Sequence, residues 1–173
     1  MKRLIFSIAI AVIIIRNASA QNTASQTMAA DTVTNLKNAW YIEVAGASLI
    51  GVTFNYERFL SKKPGGLSVH AGFGGGVFTL FDDGFVFGAV PAGISYNIPT
   101  SADKRQMIEI GGDYSLIFAE GDQSSFLSGI VSWRYETPSH NLIIRLTLMP
   151  IIRPIGEEDS GGPWFGFSIG RRF

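Results

Sequence analysis

The sequence predicts an all-β fold, an eight-stranded antiparallel up-and-down transmembrane β-barrel. From residue 39 onward, apolar and polar residues alternate with the period of two that is typical of strands. Turns rich in glycine, proline, serine and aspartate separate the alternating segments. After residue 20, no apolar run approaches the ~20 residues that a spanning helix needs. Glycines lie inside nearly every segment, and each would cost a helix interior about 1 kcal/mol.

The first twenty residues have the three parts of a secretory signal peptide. Lys2 and Arg3 precede an apolar run over residues 4–15, and Ala18-Ser19-Ala20 forms a cleavage site before Gln21. An uncleaved anchor is the alternative, although the apolar run is short for one. Residues 21–38 are small and polar, which predicts a flexible segment ahead of a barrel at residues 39–173.

The charge balance and the cysteine content argue against nucleic-acid binding and cysteine-based chemistry. Removal of residues 1–20 takes away three of the 14 basic residues and leaves the 14 acidic residues in excess. This balance does not favour a nucleic-acid partner. The chain has no cysteine, so it forms no disulfides and carries out no thiolate chemistry.

The first four predicted strands are joined as neighbouring hairpins. A tight connection at residues 47–49 is followed by the turn LSKKPGG at residues 60–66, where proline and glycine favour reversal. FDDG closes the next hairpin. Pro91 lacks a ladder donor, which predicts a β-bulge in the fourth strand. The four strands are predicted at residues 39–47, 50–60, 67–80 and 85–97.

The last four predicted strands follow the same plan. Short turns contain the stretches IPTSADK, AEGDQS and TPSH, and residues 153–162 form the longest connection. The loops around Glu120 and Glu157 are the expected sites of external contact. The strands are predicted at residues 106–118, 126–136, 141–152 and 164–173. An even number of hairpin-linked strands, with both termini at one end, is typical of small outer-membrane barrels.

Alternation divides the predicted strands into an apolar face and a charged face. Desolvating an unpaired charge costs several kcal/mol, so we expect the charged side chains to pair inside the barrel. Eight strands enclose space for side chains and not for an open pore. We expect Arg134 and Arg145 to pair with Glu109 and Asp113. The predicted interior network comprises Glu43, Glu57, His70, Glu109, Asp113, Arg134 and Arg145.

Aromatic residues favour a membrane around this barrel. They lie near the strand ends on the side of the termini, where a membrane interface would place an aromatic girdle. These residues are Tyr56, Tyr96, Trp133, Tyr135 and Phe173. The alternative is a soluble exported barrel with inverted faces, which would bind an apolar ligand in its lumen as lipocalin-like barrels do.

Several stretches resemble a family of small outer-membrane β-barrel proteins of the Bacteroidetes. The stretches are YIEVAGASLIGVTFNYERFLSKK, GGLSVHAGFGGG, IEIGGDYSL and the final PWFGFSIGRRF. The family pattern opens on an aromatic-V-E-L-G-G strand, continues with S-x-N-Y-[DE]-R-[RF] and closes on a G-x-R-F-like strand. The resemblance covers residues 39–173 and implies an outer-membrane barrel. Most members have no assigned activity, so it implies fold and location more than task.

The last strand also resembles the C-terminal signal by which the barrel-assembly machinery recognises its clients. Phe165, Phe167, Ile169 and Phe173 share one face, whereas Arg171 departs from the usual apolar residue at its position. The resemblance implies two partners, outer-membrane lipids and the barrel-assembly machinery. We therefore expect a cell outer-membrane protein of structural or interaction type.

A lipid-modifying outer-membrane enzyme is a further alternative. His70 shares its predicted face with Ser68, Ser128, Glu109 and Asp113, which are the residue types of a hydrolase triad. No spacing forces these residues together, and a buried polar network explains them better than a catalytic triad does. The sequence therefore predicts no catalytic residue, no metal site and no cofactor.

Overall fold

A computed structural model describes residues 36–61, 65–80, 83–119, 122–137, 140–152 and 162–173. The predicted signal peptide, most of the predicted flexible segment and residues 153–161 lie outside these ranges. The strands are β1 (Asn38–Ala45), β2 (Val52–Phe59), β3 (Gly66–Leu80), β4 (Asp83–Pro99), β5 (Gln106–Ala119), β6 (Asp122–Glu136), β7 (Leu142–Ile152) and β8 (Pro163–Arg172).

The eight strands form one closed antiparallel barrel in chain order, which confirms the predicted fold class. Closure joins β1 to β8, with Trp40 opposite Arg171 and Val44 opposite Phe167. Asn38 and Phe173 exchange two main-chain hydrogen bonds of 3.1 and 2.7 Å at this seam. The end of the barrel that holds these two residues is called the termini end, and the opposite end is called the far end.

The barrel wall is higher on one side at the far end. β3, β4, β5 and β6 have 14 to 17 residues, whereas the other four strands have 8 to 11. Pairing of β2 with β3 stops at Val52 opposite Gly75, and pairing of β7 with β6 stops at Ile152 opposite Leu127. The β3–β4 and β5–β6 hairpins therefore extend beyond their neighbours.

Side chains alternate between the lumen and the outer surface along each strand. Every second residue of β2 is buried, from Thr53 to Phe59. Outward side chains are apolar and exposed, and Phe73 and Phe165 each retain 66% of their accessible surface. Glu57 and Arg134, by contrast, have no accessible surface. This distribution reverses that of a soluble protein, whose charged residues are rarely buried.

Two prolines interrupt the ladders without shifting their register. Pro91 pairs with Ser115 on β5, but the ladder to β3 breaks between Ala71 opposite Ala92 and Gly74 opposite Ala89. The residue offset is the same on both sides of the break, so the predicted bulge at Pro91 is wrong. The β6–β7 ladder breaks in the same way near Pro150. Each proline lacks the donor for one ladder bond, and the strand continues past it.

The β1–β2 connection is short, includes the residues 47–49 at which a tight connection was predicted, and folds into the barrel. Gly46–Ser48 form a single buried 3₁₀ turn. Ala45 and Leu49, which flank the turn, have positive φ values of 61° and 63°. Such a conformation costs a residue with a side chain about 1–3 kcal/mol, so surrounding contacts must hold it.

The described part of the chain contains no helix long and apolar enough to cross a membrane.

Candidate functional site

The lumen side chains form the candidate site, and its densest contacts lie towards the termini end. One carboxylate oxygen of Glu57 accepts hydrogen bonds from Arg134 Nη1 at 2.7 Å and from Arg145 Nη2 at 3.1 Å. Glu57 lies on β2, whereas the arginines lie on β6 and β7, so both contacts cross the barrel. Charge-assisted hydrogen bonds of this kind offset the desolvation of buried ions.

Further ion pairs extend this cluster. Arg145 Nε lies 3.2 Å from Glu109 Oε2. Arg134 Nε donates to Glu136 at 3.0 Å, and Arg172 Nη1 donates to the other oxygen of Glu136 at 3.0 Å. Three arginines therefore face three glutamates, and the cluster is formally neutral.

The guanidinium groups of the cluster lie over two aromatic rings. The Arg172 and Arg134 guanidinium carbons lie 4.0 and 4.8 Å from the centre of the Phe59 ring. The Arg145 guanidinium lies 4.3 Å from the centre of the Tyr41 ring. Stacking of a cation on a ring is favourable when both are desolvated. Sequence reasoning missed both rings, although Tyr41 shares its parity with Glu43 and Phe59 shares its parity with Glu57.

A chain of polar side chains continues from the ion pairs along the lumen of β3, β4 and β5. Ser95 Oγ donates to Glu109 at 2.6 Å and lies 3.1 Å from Ser68 Oγ. Asn97 Nδ2 donates to Ser68 Oγ at 3.0 Å. These bonds connect three strands to the carboxylate that pairs with Arg145. The cluster is therefore a connected network, in which removal of one member leaves the buried polar groups of its neighbours without a partner.

His70 and Asp113 form a separate pair at mid-height. His70 Nε2 lies 2.9 Å from Asp113 Oδ2, and both side chains are 97% buried. His70 and Asp113 are both register partners of Gly93, on opposite sides of β4. A Cβ atom at Gly93 would lie 2.7 Å from two ring atoms of His70. The absence of a side chain at Gly93 therefore leaves the space in which the pair forms.

The serines considered for a hydrolase triad do not bond to this pair in the described structure. Ser68 bonds to Ser95 and Asn97. His70 Nδ1 and Ser128 Oγ have no hydrogen-bond partner among the described residues. A histidine base must contact its nucleophile, directly or through one water. In the described structure, the serine, histidine and acidic residues considered for a lipid-modifying enzyme therefore do not form a hydrogen-bonded triad.

At the far end, the inward β1–β2 connection covers the lumen. Trp164 Nε1 donates to the carbonyl oxygen of Leu49 at 2.7 Å, and Glu43 accepts the Ala47 N–H at 2.8 Å. Ala47 packs in an apolar cluster with Ile130 and Met149. A Cβ atom at Gly46, where φ is +62°, would meet the Glu43 carboxylate. One buried and one part-buried hydrogen bond, together with a small apolar cluster, therefore hold the connection inside.

All seven residues of the predicted network lie on the lumen face and are buried. Of the expected ion pairs, the structure contains Arg145 with Glu109. Arg134 pairs with Glu57 and Glu136 instead, and Asp113 pairs with His70. Glu43 binds a backbone N–H and Ser168. The expected pairing was thus incomplete, because alternation assigns a face but not a partner across the lumen.

The predicted assembly residues are exposed on the outer face of β8 and just beyond it. Phe165, Phe167, Ile169 and Phe173 retain 66, 44, 43 and 51% of their accessible surface. The Phe173 ring lies 6.5 Å from the Tyr56 ring, centre to centre. Arg171 is exposed on the same face.

No protein-family model matches the chain, and no curated protein matches it. The solved structures similar to it include the outer membrane protein Ail of Yersinia pestis in a phospholipid bilayer nanodisc. That match has a TM-score of 0.48 and 13% identity, and it covers 80% of this chain and 100% of Ail. The crystal structure of Ail, the attachment invasion locus protein of Yersinia pestis, gives a TM-score of 0.40 and 13% identity over 80% of this chain and 95% of Ail.

Proposed function

We propose that the chain is an integral outer-membrane barrel of structural or interaction type, with a lumen closed by its own side chains. Its apolar outer wall contacts lipid, and its hairpins and connections at the far end make external contacts. The observation that carries the proposal is the distribution of charge between the two faces of the wall.

On the outer face of the described strands, charged residues occur only near the strand ends. These outward charged residues are Arg58 and Arg171, and both lie near the termini end. Elsewhere on this face the described outward side chains are mostly apolar, and Ile42, Phe54 and Leu146 are 40, 43 and 52% exposed. In water this band would be an exposed apolar patch far larger than soluble proteins carry, whereas in a membrane it would contact the acyl chains of lipids favourably.

Aromatic side chains lie at the boundary of this band nearest the termini end. Trp40 stacks near Phe54, with centroids 6.1 Å apart, and Trp133 stacks near Tyr135 at 6.2 Å. Tyr56 donates its hydroxyl hydrogen to Asn38 at 2.8 Å. Amphipathic rings favour the level of lipid headgroups. The girdle supports placement of the termini end at the periplasmic interface, as does the resemblance of residues 39–173 to outer-membrane barrels of the Bacteroidetes.

The contents of the lumen support a closed barrel. Ion pairs that include Arg134 and Arg145 fill the termini end, and the β1–β2 connection covers the far end. The lumen wall carries charged and hydroxyl side chains beside apolar ones such as Phe59 and Met107, in contrast to the apolar lumen expected of a lipocalin-like barrel. The soluble ligand-binding alternative is therefore disfavoured by the direction in which the side chains point.

We propose the barrel-assembly machinery as the partner that inserts the protein. The exposed aromatic face of β8 and the ring of Phe173 support this role, because β8 closes the barrel against β1. Outer-membrane lipids are the second proposed partner, through the apolar band.

Expression of residues 21–173, with folding in detergent, tests the proposal. We expect faster gel migration without boiling than after boiling, and precipitation when detergent is removed. In planar bilayers we expect no stable conductance steps, because the lumen is filled. A monodisperse, detergent-independent β protein would contradict the membrane assignment, and regular conductance steps would contradict the closed lumen.

A further inference from the structure

The outer wall carries a cationic patch at the β1–β8 seam. Its members surround the residues that close the barrel at the termini end, and we call it the seam patch. The seam patch comprises Arg58, Arg171, Trp40, Tyr56, Phe173 and Asn141.

The two arginines of the seam patch lie on the strands that flank β1. Arg58 on β2 is opposite Asn38, and Arg171 on β8 is opposite Trp40. Strands are about 4.8 Å apart and rise about 3.4 Å per residue, so the two Cα atoms are about 12 Å apart. Both side chains are exposed. The seam therefore concentrates two positive charges within the width of one or two lipid molecules.

No acidic residue of the described chain forms an ion pair with either arginine. The ion pairs of Arg134, Arg145 and Arg172 are buried in the lumen, and Arg105 pairs with Asp103 in the β4–β5 turn. The acidic residues of the described strands occupy positions of the lumen parity and not of the outward parity. An exposed cation beside apolar surface, without an internal counter-ion, is complementary to an anionic headgroup.

A groove next to Arg171 provides space for such a group. It has a volume of about 390 Å³ and is lined by Leu36, Trp40, Asn141, Arg171, Arg172 and Phe173. Arg172 itself points into the barrel, where it donates to the Leu36 carbonyl at 2.7 Å and to Glu136. Arg171 is therefore the cation free to bind a phosphate. Trp40 and Phe173 supply apolar surface for the part of a lipid's acyl chains that lies next to its headgroup.

We infer that the seam patch binds the phosphate headgroup of an anionic phospholipid, with Arg171 as the main contact and Arg58 as a second cation. The inference rests on the proposed membrane location, because the site needs the leaflet at the termini end. Arginine suits this task, since its planar guanidinium bonds phosphate oxygens in pairs. A lipid bound here would cover the seam between the first and last strands.

Fluorescence of Trp40 in vesicles tests the inference. In a Trp133→Phe, Trp164→Phe background, whose folding is checked by heat-modifiable gel mobility, Trp40 is the remaining tryptophan. Vesicles contain brominated phosphatidylglycerol in unlabelled phosphatidylcholine, or brominated phosphatidylcholine in unlabelled phosphatidylglycerol. We expect brominated phosphatidylglycerol to quench Trp40 more strongly than brominated phosphatidylcholine does. The lipid preference is the binding ratio of phosphatidylglycerol to phosphatidylcholine obtained from this quenching. We expect Arg171→Gln to lower that ratio about fivefold and Arg58→Gln to lower it by a smaller factor.

Lys104→Gln provides the matched control, because Lys104 is an exposed cation in the β4–β5 turn at the same end of the barrel. This variant retains the preference if the seam patch is the site. Equal quenching by the two lipids in the parent protein, or an unchanged preference in Arg171→Gln, would overturn the inference. Flotation of the vesicles separates the two proposals, because protein that fails to float with lipid contradicts the membrane assignment instead.

Discussion

His70 Nε2 lies 2.9 Å from Asp113 Oδ2, although β4 separates the strands that carry the two residues. The pair crosses β4 at Gly93, the register partner of both. A glycine in a strand interior normally weakens the strand, and here its lack of a side chain leaves room for the contact between His70 and Asp113.

Gly93→Ala tests this relationship. The new Cβ would lie 2.6 Å from the Gly112 carbonyl oxygen and 2.7 Å from the His70 ring, so His70 or the backbone must move. We expect a loss of about 1–3 kcal/mol in the free energy of unfolding, measured by urea titration in detergent. Gly112→Ala is the control, because its Cβ would meet its nearest atom at 3.6 Å. Equal stability of the two variants would show that the pair does not depend on the space at Gly93.

Glu57→Gln tests the centre of the ion-pair cluster. The substitution removes the charge that Arg134 and Arg145 share, and leaves buried guanidinium groups with excess positive charge. We expect a loss of about 3–5 kcal/mol in the free energy of unfolding. In the double variant Glu57→Gln, Arg134→Gln, we expect a loss smaller than the sum of the single losses, because charge balance is restored. Additive losses would contradict coupling between these residues.

Cysteine labelling tests the inward path of the β1–β2 connection. The chain has no native cysteine, so Ala47→Cys and Ile50→Cys each introduce a single thiol. Ala47 is 3% exposed and Ile50 is 43% exposed. We expect a water-soluble maleimide to label position 50 at least tenfold faster than position 47 in the folded protein, with equal rates after boiling. Equal rates before boiling would place the connection outside the lumen.

Phe173→Ala separates assembly in the cell from intrinsic stability. The variant retains the main-chain bonds to Asn38 and loses the ring that lies against Tyr56. We expect folding in detergent to be nearly unchanged, while the folded fraction in outer membranes falls several-fold. Phe73→Ala is the comparison variant, because Phe73 is an exposed outward phenylalanine on β3 that lies outside the predicted assembly signal. An unchanged folded fraction for Phe173→Ala would argue against a role of this residue as an assembly signal.

The strand number and the direction of the side chains could be predicted because a strand's alternation is local. The pairing of Arg134 with Glu57 could not, because residues 77 positions apart meet through the stagger of a closed barrel. The inward β1–β2 connection was equally inaccessible, since its conformation depends on Trp164 and Glu43. The lumen location of Tyr41 and Phe59 could have been predicted, because these residues share their parity with Glu43 and Glu57.

Spin-label accessibility on the outer face tests membrane embedding most directly. Single cysteines at Phe54, Leu146 and Phe167 place labels at exposed positions within the apolar band, and Ile50→Cys places one at the far end. After reconstitution in vesicles, we expect oxygen to collide with the labels in the band far more often than a water-soluble nickel chelate does, and we expect the chelate to reach position 50. Free access of the chelate to all four positions would contradict a membrane around the barrel.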